Sequence, residues 1–69
     1  MENKKLEPLE KLTFDLEPGD SFYYRDRWWK VEATKPIEGD RTLIMCFDLK
    51  DPENLHIFRL RDYWLSVLP

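Results

Sequence analysis

From Leu12 onward, apolar and polar residues alternate in short stretches, and turn-forming residues separate the stretches. Period-two alternation sends successive side chains to opposite sides of a strand, so this pattern predicts a chain of short strands. The first is expected at Leu12-Thr13-Phe14, stopped by Glu17-Pro18-Gly19-Asp20. Pro18 and Gly19 suit the central positions of a type II turn, because glycine takes the positive φ that the second position requires. Ser21 to Arg25 follows as a strand, Arg25-Asp26 makes a tight connection, and Arg27 through Lys35 forms the next strand. After a loop over Lys35-Pro36-Ile37-Glu38-Gly39-Asp40, Arg41 to Leu49 is the most strand-like segment. Leu43, Met45, Phe47 and Leu49 alternate there with Ile44 and Cys46, and apolar residues on both faces suit a central strand. Lys50 to Asn54 turns the chain into a strand over Leu55 to Leu60. Arg61-Asp62-Tyr63 is expected to form one 3₁₀ turn before a last strand, Trp64 to Leu68.

The architecture that fits these elements is all-β: a small five-stranded SH3-like barrel over residues 12–69 with one late 3₁₀ turn. An N-terminal arm over residues 1–11 precedes it, with Leu6, Leu9 and Leu12 spaced by three, as one helical turn near Pro8 or an extended segment would place them. A strongly bent antiparallel sheet covered by that arm is the alternative architecture.

Leu16-Glu17-Pro18-Gly19-Asp20-Ser21-Phe22-Tyr23-Tyr24, continued by Trp28-Trp29-Lys30-Val31-Glu32-Ala33, resembles the N-terminal KOW-like, SH3-like domain of the elongation factor P family. The likeness extends loosely through Lys35-Pro36, Gly39 and the Arg41 to Leu49 strand, over roughly residues 14 to 60. It implies the barrel fold. In that family a modified lysine at the tip of a Lys-Pro-Gly-Lys-Gly loop reaches toward the peptidyl-transferase centre. The nearest residue here is Glu38, in a shorter loop, so the resemblance carries the fold and not the translation-factor activity.

Sixty-nine residues fit one domain, and ten aromatics (three Trp, three Tyr, four Phe) let a short chain bury substantial area with few core residues. The formal net charge of −3 comes from acidic and basic residues interspersed along the chain. Non-specific binding to nucleic acid or to an anionic membrane needs a basic face, which this balance disfavours. With Cys46 as the one cysteine, no intrachain disulfide forms. The charged opening lacks the apolar stretch of a secretory leader, so the expected location is cytoplasmic.

No residue set predicts catalysis, a metal or a cofactor. Cys46 sits among apolar residues and reads as a core thiol, and His56 reads as a solvent-facing strand residue. Asp48, Asp51 and Glu53 cluster at a turn, but their spacing is not that of a calcium loop. The aromatics are more informative. If Trp29, Val31 and Ala33 face the core, Trp28, Lys30 and Glu32 face outward, and Tyr23 lies opposite Phe22 and Tyr24. Of the adjacent Tyr63 and Trp64, one is expected to be exposed. Tyr23, Arg25, Arg27, Trp28, Tyr63 and Trp64 are of the residue types enriched at interface hot spots. They predict a non-enzymatic protein-binding module, an adaptor or stoichiometric inhibitor that docks a partner or a second copy of itself. A KOW-like module stacking single-stranded bases is one alternative, and an oligomeric enzyme with His56, Ile57 and Phe58 around a symmetry axis is another.

Overall fold

A computed structural model describes residues 9–69. Six strands form one antiparallel sheet: β1 (Leu9–Leu12), β2 (Ser21–Tyr24), β3 (Arg27–Ile37), β4 (Arg41–Asp48), β5 (Asp51–Arg61) and β6 (Trp64–Val67). Their order across the sheet is β1-β6-β2-β3-β4-β5, so β6 inserts between β1 and β2. The expected all-β domain is present; among the described residues the sheet has six strands in place of five, ends in β1 and β5, and does not close into a barrel. The part of the arm expected over residues 1–8 lies outside the described residues. The end of that arm, Leu9 to Lys11, together with Leu12 forms a strand that pairs with β6 from Leu9↔Val67 to Leu12↔Trp64.

Two tight turns shape the first half of the sheet. Gly19 has φ 97°, and the Asp20 amide donates to the Glu17 carbonyl at 3.0 Å, which makes Glu17–Asp20 the expected turn with glycine in its third position. Asp20 Oδ2 accepts from the Glu17 amide and from Lys11 Nζ, both at 2.9 Å, and so fastens this turn to β1. Between β2 and β3, Arg25 and Asp26 have φ of 55° and 65°. Two consecutive left-handed residues define a type I′ hairpin, whose twist matches that of the flanking strands. Tyr24 pairs with Arg27 across it.

The expected first strand and late 3₁₀ turn exchange places. Thr13–Asp15 is the 3₁₀ turn, and Asp62-Tyr63 is an extended bend. Thr13 is the cause. It is fully buried, its amide and its hydroxyl both donate to the Tyr63 carbonyl (3.0 and 3.1 Å), and its Oγ1 accepts from the Tyr63 amide at 3.2 Å. Asp62 Oδ1 accepts from the Phe14 amide at 3.1 Å beside it. The Thr13 amide thus makes the next rung after Leu12↔Trp64, while its carbonyl accepts from the Leu16 amide at 3.2 Å and takes the chain out of the ladder into the 3₁₀ turn; Tyr63 is held at both amide and carbonyl.

Strands β3, β4 and β5 form a long meander with two irregularities. Val31 pairs with Cys46 and Ala33 with Met45, leaving Glu32 as the extra residue of a bulge. The bulge reverses the facing of the residues beyond it, so Ala33 shares a face with Met45, opposite the core, contrary to the simple alternation from Trp29 and Val31. The β4–β5 pairing shifts between Phe47↔Leu55 and Asp48↔Asp51, which starts β5 at Asp51, earlier than the expected Leu55.

Leu16, Phe22, Trp29, Val31, Ile44, Cys46, Leu60, Leu65 and Val67 form the core, with Tyr24 and Phe58 packed against it. Trp29 Nε1 donates to the Tyr24 carbonyl at 2.8 Å, which satisfies the one polar atom of a buried indole. His56 belongs to this side of the sheet. It is half-buried, with its ring 4.8 Å from Trp29, because it shares a face with Phe58 and Leu60 and does not point to solvent. Cys46 is fully buried as expected, and desolvation pushes its thiol up to about 12.

Candidate functional site

The sheet has a second, outward face, and it is also apolar. Phe22 and Val67 are buried and pair across β2 and β6. Alternation therefore puts Tyr23 on the outward face together with Trp64 and Ser66. Tyr23 pairs with Trp28 in β3, and the two rings meet edge to face with centroids 5.1 Å apart. Tyr23 is 42% exposed and Trp64 62% exposed, while Trp28 is half-buried against its neighbours. Leu12, opposite Trp64 in β1, continues the same face. The structure thus brings Tyr23 and Trp28 into contact and sets Trp64 on the same side of the sheet.

The remaining sequence-predicted residues separate from these three. Arg27 pairs with Tyr24 and so lies on the core side, where its Nη1 donates to Asp48 Oδ2 at 2.6 Å. Asp48 is buried, and its Oδ1 accepts from the Lys50 amide at 2.9 Å. That backbone bond, followed by the Arg27 bond and charge, holds the Asp48 carboxyl below the usual carboxylate range. Arg25 stacks its guanidinium 5.3 Å from the centre of the Tyr24 ring. Tyr63 is partly exposed beside this pair. Burial, then the charge and hydrogen bond of Tyr24, raises its phenol above the ordinary value. The arginines and Tyr63 therefore form a rim on the core side of the hairpin, and the outward aromatics stand without them.

Between the two hairpin ends, Trp28 and Leu49 floor an open depression of about 480 Å³, ringed by Asp26, Arg27, Asp48, Lys50 and Asp51. Two members of the acidic cluster at this end, Asp48 and Asp51, are engaged in internal bonds. Asp48 serves Arg27 and Lys50, and Asp51 Oδ2 accepts from Asn54 Nδ2 at 3.1 Å. Among the described residues, no three His, Cys, Asp or Glu side chains converge as metal ligands. No helix of the described residues is long and apolar enough to cross a membrane.

Further along the outward face, the pairings Phe47↔Leu55 and Met45↔Ile57 align four apolar side chains, with Leu43 next in β4. Leu55 and Ile57 are 49% and 47% exposed. The apolar odd positions of β4 were legible as a second face, but Leu55 and Ile57 were missed as its extension. Their signal was the same alternation, Leu55 and Ile57 against His56 and Phe58.

No protein-family model, curated protein or solved structure matches this chain.

Proposed function

We propose that this protein is a non-enzymatic binding module whose outward sheet face docks a partner protein through Tyr23, Trp28 and Trp64. The observation that carries this reading is the Tyr23–Trp28 edge-to-face pair on the side opposite the core, with Trp64, the most exposed large hydrophobic among the described residues, on that side too. Each of these aromatics offers wide, rigid contact area at low conformational cost, the property that makes Trp and Tyr frequent energetic anchors. A monomer gains nothing in stability from presenting an indole to water. The core already holds its own tryptophan, Trp29, on the other face.

An SH3-like kinship belongs to the same proposal. It rests on the Pro18-Gly19 turn, the tight hairpin and the aromatic-then-Val strand, and it predicts no translation-factor activity, since Glu38 stands where that family carries its modified lysine.

The test is capture from host lysate with the tagged chain, with and without nuclease, alongside Trp28→Ala and Trp64→Ala. The expected result is a protein captured in both conditions and lost from both variants, each of which keeps its β-sheet circular dichroism. Capture that depends on nucleic acid, or capture equal for both variants and the unmodified chain, refutes the proposal.

A further inference from the structure

The hairpin between β3 and β4 closes at Ile37↔Arg41 through Glu38, Gly39 and Asp40, with Gly39 and Asp40 at positive φ (74° and 58°). The same rung continues across β4 to β5, where Arg61 stands directly opposite Arg41. The next rung aligns Lys35, Leu43 and Arg59. Leu43 lies on the outward face, and alternation puts Arg41, two residues before it, on that face as well. Arg59 and Arg61 share the face of their cross-strand partners. Ile37, Arg41, Arg59 and Arg61 thus gather at one end of the outward face, where with Glu38 and Gly39 they line an open depression of about 600 Å³.

Like charges directly opposite each other across a ladder destabilise a sheet. Here a third arginine, Arg59, stands on the diagonal to Arg41 and adds to the repulsion, in a chain whose formal net charge is −3. Among the described residues none of the three arginines makes an ion pair. Glu38 is the one carboxylate in the lining, so two positive charges are left uncompensated in a concave spot. An anion lodged between the arginines relieves the repulsion that the fold itself leaves in place.

We propose that this depression binds the dianion of a phosphate monoester, with Arg41, Arg59 and Arg61 around its terminal oxygens. Each guanidinium presents a planar fork of N–H donors that matches two phosphate oxygens, and a monoester has three terminal oxygens to share among three forks. Its charge of about −1.5 to −2 near pH 7 matches the two uncompensated charges of the site. A phosphodiester or a carboxylate offers two such oxygens and a single charge, and so fits less completely. Ile37 gives the esterified group an apolar wall. The site lies at the opposite end of β3 from Trp28 and uses none of Tyr23, Trp28 and Trp64, so the two proposals stand or fall separately.

The test is backbone amide NMR of the full chain titrated with phenyl phosphate, with sodium chloride added to hold the ionic strength constant. Amides of Ile37 to Arg41 and Arg59 to Arg61 are expected to shift to saturation, with a dissociation constant of roughly 1 mM or below. Arg41→Gln and Arg61→Gln are each expected to weaken binding about tenfold or more. In chloride buffer without the ester, each is expected to melt no lower than the unmodified chain, because it removes one of two opposed charges. Arg61→Lys keeps the charge without the fork and is expected to bind with intermediate strength. Vesicles carrying a phosphatidylinositol monophosphate identify the source of the phosphate. Co-sedimentation that phenyl phosphate reverses assigns the site to a lipid headgroup, and binding of phenyl phosphate without co-sedimentation assigns it to a soluble ester. The proposal is overturned by shifts that do not exceed those from chloride, by glutamine variants that still bind or that melt clearly lower, or by equal binding of succinate or a single-stranded oligonucleotide.

Discussion

Trp28 and Trp29 are neighbours in sequence and lie on opposite faces of β3, so removing one indole at a time separates folding from recognition. Trp29 is 4% exposed, its ring touches His56 and Phe58 at centroid distances of 4.8 Å, and its Nε1 donates to the Tyr24 carbonyl. Trp29→Ala removes that burial and leaves a large cavity, a loss of about 3–5 kcal/mol. It also removes the hydrogen bond from Nε1 to the Tyr24 carbonyl, a further loss of about 0.5–1.5 kcal/mol. A domain of this length has a total stability of only about 3–10 kcal/mol, so this variant is expected to be unfolded or nearly so at 25 °C. Trp29→Phe keeps most of the aromatic area and loses the donor, and is expected to fold with a clearly lower midpoint. Trp28→Ala forfeits the edge-to-face pair with Tyr23, about 0.5–1.5 kcal/mol, and part of a half-buried surface. The assay is urea denaturation followed by far-UV circular dichroism, because tryptophan fluorescence changes with each substitution. The expected order of destabilisation is Trp29→Ala, then Trp29→Phe, then Trp28→Ala. A Trp28→Ala variant as damaged as Trp29→Ala would refute the two-faced assignment and, with it, the availability of Trp28 for a partner.

Two further outcomes concern polar groups within the core. Thr42 is buried opposite Pro36, which has no amide hydrogen to offer, and its Oγ1 has no hydrogen-bond partner. Thr42→Val removes an unsatisfied hydroxyl at nearly constant shape and is expected to stabilise the fold by about 1 kcal/mol, raising Tm by roughly 4–8 °C; a lower Tm would mean that the hydroxyl is satisfied after all. Asp48 has a lowered pKa in the folded state, so its contribution to stability is complete above the ordinary carboxylate value and is lost as pH falls through the folded value. The stability gap between the unmodified chain and Asp48→Asn, read as urea midpoints, is accordingly expected to be constant from pH 7 to about 5 and to close below about pH 4; a gap of the same size at pH 3 would exclude this role.

Local chemistry was legible in the sequence wherever neighbouring residues decided the outcome. Pro18-Gly19 specifies its turn through its own φ preferences, Asp26 tolerates the left-handed conformation of its hairpin, and the alternation in Arg41–Asp48 sorts Ile44 and Cys46 from Leu43 and Met45. What stayed illegible depends on residues distant in the chain. Nothing near Thr13 announces that its partner is Tyr63, so the 3₁₀ turn was expected at the wrong one of the two. The bulge at Glu32 breaks alternation without a glycine to mark it, and so Ala33 was assigned to the wrong face. In the candidate site, the alternation that sets Tyr23 and Trp28 outward also sets Arg27 on the core side; what no neighbouring residue announces is the buried Asp48, on another strand, that holds its guanidinium there.

The insertion of β6 between β1 and β2 has a consequence for biosynthesis. Leu9–Leu12 is made before the other described strands of the sheet, yet its partner Trp64–Val67 is made after all of them. Until those final residues emerge, β1 has nothing to pair with and the open side of β2 is bare, while the β2–β5 hairpins, whose partners are adjacent in sequence, can already form. The nascent domain thus carries an unfinished sheet until the last-made of its described strands arrives, and through that interval β1 and the open side of β2 are exposed to wrong pairings.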